Sequence, residues 1–519
     1  MFAVLILLAA LFGVATLWLL LYGLNAYWLT AACRWGTPRP ILSPTTPSSF
    51  ALVGAGYPES AAGAPVWPVV TVQLPIFNER YVAERLLAAV CRLDYPALHV
   101  QVLDDSTDDT QAQLQGAVAH YRDQGVDIDY LHRSDRTGFK AGALQAALAH
   151  TKGDYIAIFD ADFLPSPDWL KRAIAPYLAR PQTSIAVVQT RWGHVNSAYS
   201  LLTQLQAVGI DGHFAIEQRA RCEQGYFLNF NGTAGLWYKP AILDAGGWQH
   251  DTLAEDMDLS YRAQLAGWQV VYDNDTVAPA ELPVTMAALK LQQFRWAKGS
   301  IQCARKLLGR LGQAAVPGEV KWQAFLHLTG YLAHLWMVTI AVLALPLLGL
   351  LPPEALPVAG TLSSLWFLAM VPATLGPPFL YFSAQQMLDP AQGWRKWPYI
   401  VWLAVLGTGL SANNGRAVLS GLFGQGATFR RTPKFGLRQR GDRWADKVYR
   451  LPWDWAILWD WGLCAWSGAA LVLAWQRHLY IDLPLLGLYV LGYGYVGTVS
   501  LWQAVIPATA PKAAADPPV

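Results

Sequence analysis

The sequence predicts an α/β domain set between transmembrane α-helices, and three observations carry that prediction. Of the 519 residues, 54% are hydrophobic and only 14% charged, and 24 are Trp. Ordinary soluble domains carry about 25% charge. The apolar residues are also unevenly spread. Met1 to Cys33 contains no Asp, Glu, Lys or Arg, and from Trp322 to Gln386 the one such residue is Glu354. Between these stretches, short apolar runs alternate with helical periodicity, the texture of βαβ units and a mostly parallel sheet. A net charge of +2 offers no electrostatic footprint for nucleic acid. Cys33, Cys91, Cys222, Cys303 and Cys464 lie far apart with no CxxC pair, which disfavours a zinc knuckle, a redox motif or a disulfide scaffold.

Taken in order, residues 1–33 are expected to form a membrane helix. Phe2 to Ala26 exceeds the roughly 20 residues a span needs. No basic residue precedes the run, and it is longer than a signal-peptide core of roughly 7–15 residues. Arg34 and Arg39 put its C-terminal end in the cytoplasm. Residues 34–68 form a linker, Pro-, Ser-, Gly- and Ala-rich from Ile41 to Pro68. Residues 69–310 form the α/β domain with interface helices. Strands are expected at Val69–Leu74, His99–Leu103, Tyr155–Phe159 and Ile185–Gln189, and helices at Tyr81–Leu93 and Lys140–Ala149.

Residues 311–508 form the membrane region. Spans are expected at about 325–350, 359–383, 455–475 and 483–505, with 397–423 interfacial or re-entrant. The loop 428–450 is basic, with eight Lys/Arg against two Asp from Arg430 to Arg450, so it belongs on the cytoplasmic side with the α/β domain. Two crossings separate them. The Ala/Pro-rich tail, 509–519, is expected to be disordered. The whole reads as an integral protein of the plasma (cell inner) membrane with a cytoplasmic catalytic domain.

The chemistry is expected where strands end. Tyr155–Phe159 runs directly into Asp160-Ala161-Asp162. Two hard oxygen ligands at a strand's carboxyl end suit Mg²⁺ or Mn²⁺ shared with substrate phosphates; the plain alternative is a pair of solvated turn residues. Val100–Leu103 ends in Asp104-Asp105, and Leu74 is followed by Pro75-Ile76-Phe77-Asn78-Glu79. Gly138-Phe139-Lys140 opens a helix, where a lysine and free backbone N–H groups can meet phosphate. Glu255-Asp256-Met257-Asp258 is either an acidic helix start favoured by the dipole or the home of a general base. Gln292-Gln293-Phe294-Arg295-Trp296 offers a planar fork for phosphate and a flat face for a sugar ring. The same residues would also suit a membrane-interface helix.

In sequence these pieces run Asp104-Asp105, Asp160-Ala161-Asp162, Glu255-Asp256 and Gln292-x-x-Arg295-Trp296. This order resembles the D, DxD, ED, QxxRW signature of processive family-2 glycosyltransferases, the cellulose synthase superfamily. Gly138–Leu144, Ile158–Phe163 and Phe230–Gly235 are most similar to the plant cellulose-synthase-like A and C enzymes, which make glucomannan and glucan backbones.

The resemblance implies a GT-A nucleotide-sugar-binding fold. It implies that Asp104 or Asp105, with Glu79, contacts the nucleotide's base and ribose, that Lys140 lies near the nucleotide and diphosphate, and that Arg295 steadies the diphosphate. Asp160 and Asp162 would hold Mg²⁺ or Mn²⁺. Asp256, beside Glu255, matches the catalytic base. Gln292, Trp296 and the stretch Phe230-Asn231-Gly232 would lie on the acceptor side. Phe429-Arg430-Arg431-Thr432-Pro433-Lys434 is similar to the superfamily's gating loop, with Phe429, Thr432 and Lys434 matching and Arg431 replacing Val; a basic membrane anchor is the competing reading. Ala254 stands where cellulose synthases have Thr, so that acceptor contact is lost. The implied activity is inverting transfer of a hexose from a nucleotide sugar, UDP-glucose first and GDP-mannose second, to a growing β-linked polysaccharide that crosses the lipid bilayer. The alternative is a non-processive enzyme that builds a glycolipid.

Overall fold

The computed structural model describes residues 2–38, 67–180, 184–352, 356–424, 430–437, 441–449 and 451–506. Most of the linker, Phe429 of the basic loop and the C-terminal tail lie outside the described residues. A long helix, α1 (Phe2–Trp35), is followed by β1 (Val70–Ile76), α2 (Ala83–Val90), β2 (Leu98–Asp104), α3 (Thr110–Asp123), β3 (Ile128–His132), α4 (Phe139–Ala147), β4 (Tyr155–Ile158), α5 (Trp169–Ala179) and β5 (Ile185–His194). Then come α6 (Leu201–Gly212), a π-helical turn over 213–218, α7 (Arg219–Gln224), β6 (Gly235–Tyr238), α8 (Lys239–Asp244), α9 (Glu255–Leu265) and β7 (Gln269–Ala280).

The seven strands form one sheet in the order β3-β2-β1-β4-β6-β5-β7. Strand β6 is antiparallel to both neighbours and the other pairs are parallel. Strands covered on both faces are mostly apolar, as β4 and the start of β5 are; β1 and β2 alternate Val and Leu with buried Thr71, Gln73, His99 and Gln101, which pair across the two strands, and all four strands fall where the sequence placed them. Side chains alternate across β4. Ala157 and Phe159 join Leu86 and Trp169 in one layer, while Ile156 and Ile158 join Leu144 and Trp237 in the other. Strands β3, β6 and β7 complete the sheet at positions the apolar runs did not mark.

The remaining helices are α10 (Met286–Gln313), α11 (Gly318–Thr329), α12 (Leu332–Leu350), α13 (Leu356–Leu388), α14 (Trp397–Gly409), α15 (Ser411–Phe423), α16 (Ala456–Gln476) and α17 (Leu483–Val505). Among the described residues, five helices are long and apolar enough to cross a membrane: Ala3–Trp35, Leu332–Leu350, Ser364–Leu388, Ala456–Gln476 and Tyr480–Val505. The expected span near 325–350 is in fact two helices, because α11 stops at Gly330 and α12 starts afresh. Helix α10 runs through residue 310, so the expected domain boundary falls inside a helix.

Over 397–423 the chain makes two helices of 13 residues each. Helix α14 packs on α17 and α6, and α15 packs on α10 and α12. Small residues bring α1 against α13: a Cβ on Gly23 would lie 2.5 Å from Ala373 Cα, the close backbone approach that joins helices in lipid. A buried ion pair ties α10 to α16, with Lys290 Nζ 2.5 Å from Asp460 Oδ2. Asn413 of α15 donates to the Lys290 carbonyl at 2.9 Å.

Candidate active site

Parallel strands aim their carboxyl ends the same way, so the residues that follow them share one crevice. The residues after β1, β2 and β4, the end of β5, the start of α9 and part of α10 line a single cavity. It brings together Glu79, Asp105, Lys140, Asp160, Asp162, Asn231, Gly232, Glu255, Asp256, Gln292, Arg295, Trp296, Thr432 and Lys434.

Gly138, at φ +74°, turns the chain into α4 and sets up Lys140. The Lys140 ammonium lies 2.5 Å from Asp160 Oδ1 and 2.8 Å from the Gly232 carbonyl. Gly232 itself sits at φ +81°, and a Cβ there would come within 2.9 Å of Asp256 Oδ2. Glycine is needed there for both conformation and space. Glu255 and Asp256 occupy the first turn of α9, where the helix dipole favours acids.

The basic loop reaches into the same crevice. Lys434 Nζ lies 2.5 Å from Asp162 Oδ2, and Arg431 Nη1 3.0 Å from Glu79 Oε2. Thr432 Oγ1 accepts from Arg295 Nη2 at 2.8 Å. The Phe435 and Gly436 N–H groups donate to Glu281, which also pairs with Arg85 at 2.9 Å.

Two expected residues stay out of the cavity. Asp104 is fully buried at the end of β2, accepting from the Tyr130 hydroxyl at 2.6 Å and from the Ser106 N–H at 2.9 Å. Its neighbour Asp105 lines the cavity and is gripped by Arg133 through Nε at 2.8 Å and Nη2 at 2.5 Å. Phe230 is fully buried, edge-on to Trp237 at 5.6 Å. Phe429 lies outside the described residues. Glu281, Arg431, Trp192 and His194 line the cavity without having been singled out for it. Glu281 follows β7 as Asp160 follows β4, so recognising β7 as a strand would have exposed it.

Burial pushes the Asp256 carboxyl up to about 7, and the adjacent Glu255 charge adds to the shift. Burial also raises Glu255, against the pull of Lys140. At Lys140, burial lowers the pKa, but Asp160 and Glu255 outweigh it and leave it raised. A base near neutrality is well placed for proton transfer at cellular pH. Activity that needs the Asp256 carboxylate is therefore expected to fall as pH drops through about 7. Glu255→Gln removes a like charge and should move that acid limb down by about one pH unit. A pH profile of kcat/KM in both enzymes checks it; an unmoved limb would separate the limb from Asp256.

Asp160 and Asp162 are hard oxygen donors that already bind two ammonium groups, so they fit a cation. No group of three or more metal-ligating side chains occurs among the described residues. The fit is to a divalent ion such as Mg²⁺ or Mn²⁺ that completes its shell with phosphate oxygens.

A mixed α/β sheet with carboxylates at the ends of its parallel strands, and a DxD after a central one, defines the GT-A class of nucleotide-sugar-binding domains. Residues 68–299 match the family described as "Glycosyltransferase like family 2". Among similar proteins, glucomannan 4-beta-mannosyltransferase 1 of Oryza sativa subsp. japonica is 44% identical over 252 residues, 47% of this chain and 48% of that one. Glucomannan 4-beta-mannosyltransferase 7 of Arabidopsis thaliana is 37% identical over 305 residues, 57% of this chain and 54% of the relative. The chain thus spans about half the length of the curated relatives it matches. A solved mannosyltransferase from Pyrobaculum calidifontis, in complex with GDP-Man and Mn²⁺, is 20% identical with a TM-score of 0.46, covering 81% of this chain and 98% of that one.

Proposed function

We propose that the protein is a membrane-integrated, inverting glycosyltransferase that moves a hexose from a nucleotide sugar to the end of a growing β-linked polysaccharide. The observation that carries this is one cavity holding a raised-pKa carboxylate, Asp256, together with Asp160, Asp162, Lys140, Arg295 and Trp296. Asp256 takes the proton of the acceptor hydroxyl as that oxygen attacks the anomeric carbon from the face opposite the leaving group. An α-linked donor then yields a β-linkage. Lys140 and Arg295 offset the charge growing on the departing diphosphate. Asp160 and Asp162 would hold the divalent ion, which supplies further charge stabilisation to that leaving group. Trp296 offers a face on which the acceptor's terminal ring can stack.

The names of the plant relatives favour GDP-mannose as the donor, with UDP-glucose second. The test is radiolabelled transfer by purified protein in nanodiscs, offering each donor separately with Mg²⁺ or Mn²⁺. Ethanol-insoluble label released by a β-1,4-mannanase is the expected result. Label only in the lipid fraction would replace the polymer with a glycolipid product.

The basic loop acts as a cover over the bound donor, a reading supported by the Lys434, Thr432 and Arg431 contacts to Asp162, Arg295 and Glu79. Thr432→Ala with Lys434→Ala removes two of these polar contacts and should raise donor KM by about tenfold. An unchanged donor KM would leave the loop as a membrane anchor only.

A further inference from the structure

The cavity has a polar wall that no step above uses. His194, at the end of β5, lines it. Its Nε2 lies 2.8 Å from Asp211 Oδ1 on α6. The other oxygen, Asp211 Oδ2, accepts from Gln385 Nε2 on α13 at 2.9 Å. Gln385 lies within Ser364–Leu388, one of the helices fit to cross a membrane. The contact between α6 and α13 is fixed by the backbone: a Cβ on Gly212 would sit 2.4 Å from the Tyr381 ring.

This arrangement sets the imidazole's chemistry. A carboxylate only accepts, so Nε2 carries a proton, and in the singly protonated tautomer the ring's lone pair lies on Nδ1. Among the described residues, nothing bonds to Nδ1. In that tautomer a residue that lines the cavity carries a hydrogen-bond acceptor. The sheet order says which part of the cavity this is. Glu79 and Asp105 follow β1 and β2, on one side of β4; β5 lies on the other side of β4, two strands away. That is roughly 10 Å at the usual strand spacing. His194 therefore stands away from the nucleoside side, where Ile210 of α6 also lines the cavity.

We propose that His194, held by Asp211 and Gln385, forms an acceptor-sugar subsite in which Nδ1 accepts a hydrogen bond from a ring hydroxyl of the glycan on the side of the cavity next to α6. The proposal rests on the glycosyl-transfer reading above and adds a specificity-determining residue to it. Asp211 and Gln385 are positioning residues that fix the tautomer and the ring.

Two near-isosteres separate a sugar contact from a packing role. His194→Asn keeps a polar atom near the Nδ1 position and gives up the reach to Asp211. His194→Gln keeps a polar atom near Nε2 and gives up Nδ1. Full-length protein in nanodiscs would be titrated calorimetrically with β-1,4-mannotetraose and with cellotetraose, and donor turnover would be measured in parallel. The expected result is an oligosaccharide Kd within about twofold of wild type for His194→Asn and about tenfold weaker for His194→Gln.

The opposite order, or equal loss in both variants, would mean that the imidazole serves packing, and would overturn the proposal. So would wild-type protein that binds neither oligosaccharide. If that protein still turned over donor, glycosyl transfer would stand without the subsite. Oligosaccharide binding in the expected order with no turnover of either donor would keep the subsite and defeat the transfer reading.

Discussion

Asp256→Asn is expected to lower transfer turnover by about 10³-fold, in the middle of the range for removing a positioned general base. The substitution is nearly silent structurally. Asn keeps an oxygen for the Met257 N–H, which Oδ1 accepts at 2.8 Å, and fits the space left by Gly232. What it loses is the lone pair that takes the acceptor proton. Single-turnover rates with saturating donor would read the chemical step directly. Donor Kd should stay within about threefold, because the amide removes one negative charge from a pocket destined for a diphosphate. Near-normal turnover in Asp256→Asn would remove this residue from the base role and leave Glu255 to be tried next.

The second large effect is expected at Asp160. Asp160→Asn preserves an oxygen that can accept from Lys140, so the ammonium stays held. If Asp160 holds the ion as proposed, one charged ligand is lost, and Asn is a weaker donor to a hard cation. Turnover should fall by at least about 10²-fold, given the several kcal/mol that a metal-stabilised leaving group contributes. Mn²⁺ binding, followed by electron paramagnetic resonance with nucleoside diphosphate present, should weaken in parallel. Unchanged Mn²⁺ affinity would place the ion elsewhere.

How much of this was readable in advance follows from the physics of each element. Strand β4 was legible because it is apolar throughout, and β1 and β2 because Val and Leu recur at every second position between buried Thr71, Gln73, His99 and Gln101. Strand β3, Ile-Asp-Tyr-Leu-His, is an edge strand with only Ile128 fully buried, so its composition is mixed. Strand β6 is four residues long, too short for a periodic signal. Strand β7 carries Asp273, Asn274 and Asp275 where its register against β5 is irregular. In the site, Asp160 and Asp162 were legible because they follow an apolar run. Nothing in the pair Asp104-Asp105 tells which carboxylate faces the cavity. Tyr130, 26 residues away, takes Asp104 into the interior. His194 and Glu281 acquire meaning only through Asp211, Gln385, Arg85 and the loop backbone, partners distant in sequence.

The Lys290–Asp460 pair bears on how the molecule is made. Lys290 leaves the ribosome 170 residues before its partner. Until α16 arrives, the lysine has no counter-charge at that place, and α16 enters lipid with an acid near its leading turn. An unmatched carboxylate at membrane depth is costly, so the last two helices settle against a catalytic domain that already presents Lys290. A chain cut short before residue 456 would keep every carboxylate of the cavity and the α15 contacts to α10, the helix that carries Arg295 and Trp296, and would leave Lys290 without its buried partner.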